Sequence, residues 1–230
     1  MPADTPRFYG VFSPCFTCIK ETHGAVKICR ALAARGVAML RFDTTGIGQS
    51  EGAMRDTTFT MRVQDIISAA NALTAAHEAP RLLIGHSISG PAAISASLQL
   101  PSIEVVATVG SPKEPQTMIS KFKAANQLAI DGDTVTFDIL GRPAVFSKVF
   151  LDDIETQDVA ADTAALTTTL LSFHAPEDGI VAYANMDQIV ARAVKAKYSE
   201  AVPLPAGATH LFEKHSEDAD FVAEKLLQFL

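Results

Sequence analysis

The stretch Pro80-Arg-Leu-Leu-Ile-Gly-His-Ser-Ile-Ser-Gly-Pro-Ala-Ala-Ile-Ser95 decides how the rest of the chain is read. An apolar run over residues 82–85 leads into Gly-His-Ser-Ile-Ser-Gly, and small, helix-compatible residues follow. A serine on a strained strand-to-helix turn stands free at a sheet edge only when both flanking positions are small. Ser87 meets that condition with Gly85 and Ser89. Centring the motif on Ser89 would put Pro91 at the second small position, whereas centring it on Ser87 leaves Pro91 in the first helical turn, where a missing N–H is tolerated. Ser87 is therefore the candidate nucleophile, and the plainer alternative is an ordinary helix N-cap serine.

Working outward, residues 8–12 read as a short strand ended by Ser13-Pro14, and residues 20–35 as a helix with Ala25, Ile28 and Leu32 on one side and Gly36 as its stop. Residues 37–42 form the next buried strand. Asp43 to Gly52 is a loop, because three glycines interrupt any periodicity. Val63, Ile66, Ile67 and Ala70 keep helical spacing, which predicts an amphipathic helix over 59–76. Beyond the serine come a helix over 90–100 and strands over 105–109, 168–173 and 199–202. A helix over 186–196 separates the last two strands, and a final helix begins after Ser216 with Val222, Leu226 and Leu227 inward.

Strand and helix alternate, so the fold class is α/β: three layers around a mostly parallel sheet of about six strands. Residues 112–165 break the rhythm. They predict a β-hairpin around Gly141, flanked by helices and inserted over the sheet as a cap or lid on a single 1–230 domain. Met118, Phe122, Leu128, Ile130, Phe137 and Phe146 within it fit either an apolar pocket wall or a core of the cap's own.

The 230 residues are 48% hydrophobic, enough for one large core. No run of 18 uninterrupted apolar residues predicts a spanning helix, and the first residues lack a signal-peptide pattern, so the expected location is cytoplasmic. With 19 basic against 26 acidic residues and no basic cluster, neither nucleic acid nor an anionic membrane is an expected partner. Cys15 and Cys18 form a Cys-x-x-Cys between a strand and a helix, open to a redox reading. Zinc would need further ligands, and His23 completes no known spacing. Free thiols in a reducing cell are the expected state.

An open parallel sheet places reactive groups beyond the carboxyl ends of its strands. Past the strand over 168–173 stands His174-Ala-Pro-Glu-Asp178, and past that over 199–202 stands His210. The order Ser87, Asp178, His210 is the Ser-acid-His order of one hydrolase fold. Its chemistry needs an imidazole to take the serine proton and a carboxylate to hold the imidazole's tautomer. Glu177 competes with Asp178 for the acid role and His174 with His210 for the base. Spacing from the strand favours Asp178, and His174 is better placed to orient the Asp178 loop.

The chain resembles the α/β-hydrolase superfamily, most closely the small hydrolase domains associated with OsmC-like proteins. The resemblance rests on Cys15-Phe-Thr-Cys18, Arg41-Phe-Asp-Thr-Thr-Gly-Ile-Gly-Gln-Ser-Glu-Gly52, Leu83-Ile-Gly-His-Ser-Ile-Ser-Gly90, Gly141-Arg-Pro143 with Phe150-Leu-Asp-Asp153, and Thr209-His-Leu211. It implies a serine esterase of carboxylesterase type without a cofactor, acting on a small-molecule ester or thioester. It also implies a triad of Ser87, Asp178 and His210, and an oxyanion hole from the backbone N–H groups of Phe16 and Ile88. Relatives carry His-Gly or His-Cys where this chain has Pro14-Cys15. Only seven residues precede the first strand, so the expected fold lacks the two antiparallel strands that often begin it. An exposed sheet edge then offers a surface for a homodimer.

Overall fold

Strands covered on both faces read as unbroken apolar runs, and β1 (Phe8–Ser13), β3 (Leu82–His86), β4 (Val105–Val109) and β8 (Thr169–His174) are buried along their whole length. In the computed structural model, which describes residue 2 and residues 5–139, 141–215 and 217–230, these four form the centre of a six-stranded sheet. Its order is β2-β1-β3-β4-β8-β9, with β2 (Val37–Arg41) and β9 (Tyr198–Pro203) at the edges. Every pairing in it is parallel.

Successive side chains point to opposite faces, so each strand feeds two cores. Phe8, Phe12, Leu82, Ile84 and Leu171 pack with α1 (His23–Ala33) and α8 (Glu217–Leu226) on one face. Tyr9, Val11, Leu83, Val106 and Leu170 pack with α2 (Phe59–Ala76) and α3 (Ser89–Ser97) on the other. The helix over 59–76 has the expected limits. Leu140 and Ser216, which fall in the expected hairpin and just before the expected last helix, lie outside the described residues.

From β1 the chain crosses to β2 on the α1 face, then returns to β3 on the α2 face. The strand order therefore reverses between β1 and β3, and a crevice opens beyond their carboxyl ends at such a point. Ser13 lies in register with Gly85, so the loop after β1 and the turn carrying Ser87 are neighbours by topology.

Residues 112–165 hold more than the expected hairpin. After α4 (Pro115–Ala124), β5 (Leu128–Asp131), β6 (Thr134–Ile139) and β7 (Arg142–Ser147) make an antiparallel three-stranded sheet. The extra strand comes from Gly132, at φ 56° in the two-residue connection between Asp131 and Thr134. Asp-Gly between apolar runs is a hairpin signal in its own right. Phe150 lies in α5 (Val149–Glu155), and α6 (Val159–Ala165) leads back to β8. The helix expected over 186–196 is the shorter α7 (Asn185–Arg192), because Ala193 leaves helical geometry with ψ 54° and turns the chain toward β9.

Phe137 and Phe146 are buried and pack against each other and against Phe150, and Phe122 joins them through Phe137. These rings lie beneath the small sheet and are continuous with the core on the α2 face of the main sheet, and Ile130 on the outside is 52% exposed. The rings are anchored to the main domain by Phe16, which stacks on Phe146 and Phe150 at 5.0 and 5.6 Å and meets Phe137 edge-on at 5.5 Å. The second sheet thus sits on the loop after β1.

Candidate active site

Ser87 follows β3 directly with φ 56°, in the left-handed region that a serine rarely adopts. Its N–H donates to the Val109 carbonyl at 2.8 Å, and its carbonyl accepts from Gly90 N at 2.9 Å. A sharp turn of this kind demands close backbone packing. A Cβ on Gly85 would lie 2.0 Å from the Ser89 carbonyl oxygen, and one on Gly90 would lie 2.1 Å from Ser111 Oγ. Both positions accept only glycine. The N-cap of α3 is Ile88, not Ser87, so the plain N-cap alternative does not describe the serine.

The other two candidates come from the ends of β8 and β9. Asp178 Oδ2 lies 2.7 Å from His210 Nδ1, and Asp178 Oδ1 accepts from the N–H groups of Ile180 and Val181 at 2.8 and 2.9 Å. Glu177 is exposed, so of the two neighbouring acids it is Asp178 that faces the histidine. His174 also reaches Asp178: its Nε2 is 3.3 Å from Oδ2 and 3.0 Å from the Val181 carbonyl. Both atoms are acceptors, which assigns the proton to His174 Nε2 and makes this ring a brace for the Asp178 loop. Burial alone would raise the Asp178 carboxyl, but hydrogen bonds from His174 and His210 hold it well below the usual carboxylate range. An ionised Asp178 accepts from Nδ1–H of His210 and leaves Nε2 of that ring as the basic nitrogen.

The site is pinned by two further groups. Gly110, with φ 54° just past β4, donates to the Phe173 carbonyl, and a Cβ there would press on His210 Nδ1 at 3.0 Å and on Asp178 Oδ2 at 3.2 Å. Its only sequence signal was a glycine ending a buried strand. His86, buried beside Ser87, has Nε2 2.8 Å from the His210 carbonyl and its ring 4.9 Å from the His210 ring. It holds the His210 backbone through this bond.

The loop after β1 differs from expectation in one respect. Cys15 and Cys18 are not free thiols but a disulfide, with Cα atoms 5.1 Å apart; Cys18 N donates to the Cys15 carbonyl at 3.2 Å in the same turn. The tight turn brings the two residues within bridging distance. Cys29 is free, and burial pushes its thiol up to about 12. Among the described residues no cluster of histidine, cysteine or acidic side chains could hold a metal ion, and no helix is long and apolar enough to cross a membrane.

The esterase domain of a Rhodothermus marinus protein superposes with a TM-score of 0.76 at 35% identity, over 98% of this chain and 87% of that one. The chain belongs to the α/β-hydrolase superfamily. Residues 20–130 match the family described as serine aminopeptidase, S33. Human mitochondrial palmitoyl-protein thioesterase ABHD10 is 30% identical over 105 residues, which are 46% of this chain and 31% of that protein, so the match spans under a third of the relative's length. Est1E from Butyrivibrio proteoclasticus, solved with ferulic acid, shares the fold at 21% identity with a TM-score of 0.76, over 98% of this chain and 93% of that one.

In this α/β-hydrolase, burial and then the neighbouring His210 push the His86 imidazole down to about 3. An unfolded histidine titrates at about 6.5. Between those values the unfolded chain takes up a proton that the folded chain refuses, so stability present above pH 6.5 is lost as the pH falls, by up to about 1.4 kcal/mol per unit. The urea midpoint of the wild type is expected to drop between pH 7.5 and 5, and that of His86→Asn to drop less. Equal slopes in the two proteins would refute this account.

Proposed function

We propose that the protein is a serine hydrolase of carboxylesterase type, cleaving small to medium acyl esters or thioesters. The carrying observation is the left-handed Ser87 on its strand-to-helix turn, at the same end of the sheet as the hydrogen-bonded Asp178–His210 pair. Ser87 is the nucleophile, His210 Nε2 takes its proton and returns it to the leaving group, and Asp178 orients the ring and stabilises the imidazolium. Attack on the carbonyl carbon forms a tetrahedral oxyanion, which collapses to an acyl-serine as the alcohol or thiol departs. Water, deprotonated by His210, then releases the acid.

The oxyanion needs two N–H donors aimed at one point, each worth about 3–4 kcal/mol when well placed. Ile88 N–H sits at the start of α3, where the helix dipole favours an anion. Phe16 N–H is the second donor, on the neighbouring loop across the switch point. Among the described residues neither N–H donates to a backbone carbonyl, which fits donors kept for a ligand.

A cavity of about 470 Å³ opens beside that loop, between Thr17 and Met54 on the domain side and Ile139, Arg142, Pro143 and Ala144 on the small sheet. In this reading the segment 112–165 acts as the cap, and the cavity beneath it is lined by neither Ser87 nor His210. Its size lies in the range of small-ligand sites. The expected result is turnover of p-nitrophenyl esters and matching thioesters of small to medium acyl chain, together with labelling of Ser87 by a fluorophosphonate. Failure of both the labelling and the turnover would leave a catalytically idle hydrolase scaffold that binds a small ligand.

A further inference from the structure

Arg62 is a buried arginine with an unusual set of partners. It lies on α2, and its Nη1 donates to Ser89 Oγ at 2.9 Å and to the Pro14 carbonyl at 3.2 Å. Ser89 Oγ donates to the same carbonyl at 2.5 Å and accepts from Ser13 Oγ at 3.0 Å. A hydroxyl has one proton to give and two lone pairs, so Ser89 is fully used: it gives to Pro14 and accepts from Ser13 and Arg62. Asp65, one turn along α2, is engaged by the N–H and hydroxyl of Thr45. The guanidinium has been taken out of water to bind one hydroxyl and one carbonyl, at the place where the loop after β1 meets the helix behind Ser87. Burial lowers it to about 10, with Asp65 opposing, so it is charged at neutral pH.

We propose that Arg62, acting with Ser89, is the positioning residue for the Phe16 N–H, clamping the loop after β1 to the start of α3. This rests on the hydrolase reading above and adds to it the device that aims the second oxyanion donor. The aim follows from peptide geometry. In a trans peptide the C=O and the following N–H point in opposite directions within one plane. The Cys15 carbonyl is directed into the Cys15–Cys18 turn, where it accepts from Cys18 N; the Phe16 N–H of that same peptide therefore points the other way, out of the turn. The turn sets the direction of the donor relative to the loop. What sets the loop relative to Ser87 is the Pro14 carbonyl, one peptide earlier, held by Arg62 and Ser89. The clamp spans the position at which proline replaces the histidine expected by resemblance, so it supplies by side chains what the altered loop sequence no longer specifies.

The test compares the wild type with Ser89→Ala, Arg62→Lys and Arg62→Met, using melting temperature to confirm folding, p-nitrophenyl acetate kinetics, and hydrogen exchange of the segment 13–18. Removing an oxyanion donor outright costs about 10²–10³ in kcat, and a loosened one less. Ser89→Ala is expected to lower kcat about tenfold at nearly unchanged KM, Arg62→Met more, and Arg62→Lys to recover part of the loss. Exchange in 13–18 is expected to rise in the same order while that of α3 stays constant. A folded Ser89→Ala protein with unchanged exchange in 13–18 would overturn the clamp, whatever its activity. So would a fall in kcat no larger than the fall in folded protein. A wild type that turns over no ester would overturn the hydrolase reading instead, and the exchange measurement would still decide the clamp.

Discussion

Ser87→Ala is expected to abolish ester turnover, by a factor on the order of 10⁴–10⁶, with the fold unchanged. The covalent route depends on one oxygen, and nothing beside it can substitute: Ser89 Oγ is committed to Pro14, Ser13 and Arg62. The companion variant separates the proposed role from a structural one. Ser87 sits at φ 56°, a conformation that costs an L-residue about 1–2 kcal/mol and glycine almost nothing. Ser87→Gly is therefore expected to be as inactive as Ser87→Ala yet more stable than the wild type, by about 1 kcal/mol, or roughly 2–4 °C in melting temperature for a chain of this size. A serine kept for its contribution to folding would behave in the opposite way. Turnover surviving in either variant, or a glycine variant less stable than the wild type, would remove Ser87 from the mechanism.

The second large effect falls on the acid. Four donors converge on Asp178: Ile180 N and Val181 N on Oδ1, His174 Nε2 and His210 Nδ1 on Oδ2. A carboxylate accepts all of them. An amide of the same shape has one accepting oxygen and one NH₂ that can only donate, so in Asp178→Asn one side faces donors with donors. With the amide oxygen kept on the backbone N–H groups, its NH₂ faces His210, which must present Nδ1 as an acceptor and carry its proton on Nε2. The ring then has no basic nitrogen for Ser87. A loss of about 10³–10⁴ in kcat is expected, with Glu177→Gln, on the exposed neighbour, within twofold of the wild type. Single-turnover acylation read from the p-nitrophenol burst isolates the step. Near-normal acylation in Asp178→Asn, coupled with its loss in Glu177→Gln, would reverse the assignment of the acid.

These expectations rest on features that differ in how far the primary structure reveals them. The strand, the tight turn and the helix around Ser87 are local: an apolar run, small residues at 85, 89 and 90 and a proline tolerated in the first helical turn specify them within sixteen positions. Alternating strands and helices likewise define a parallel sheet, and a parallel sheet dictates that loops past β8 and β9 lie at the same end as Ser87. That is why order and spacing point to Asp178 and His210 as candidates, and the fold brings those two within hydrogen-bonding distance. The choice of Asp178 over Glu177 rests on spacing from the strand alone, and in the fold Glu177 is exposed while Asp178 meets His210.

What was illegible depends on contacts between segments far apart in the chain. Nothing near Arg62 distinguishes it from a solvated arginine on a helix; it becomes a buried clamp because α2 packs over the loop after β1 and the start of α3, 48 and 27 residues away. Gly110 reads as an ordinary strand terminator until β4, β8 and β9 bring the Asp178–His210 pair against it. Cys15 and Cys18 fit a thiol pair and a bridge equally well on spacing, and the turn geometry decides between them. The phenylalanines of 112–165 have the same periodicity whether they line a pocket or fill a core; only the pairing of β5, β6 and β7 turns Phe137 and Phe146 inward onto Phe16. Backbone hydrogen bonding and hydrophobic periodicity act over a few residues and are written in neighbouring letters, whereas burial, ion pairing and close approach belong to pairs of surfaces that exist only once the chain has folded.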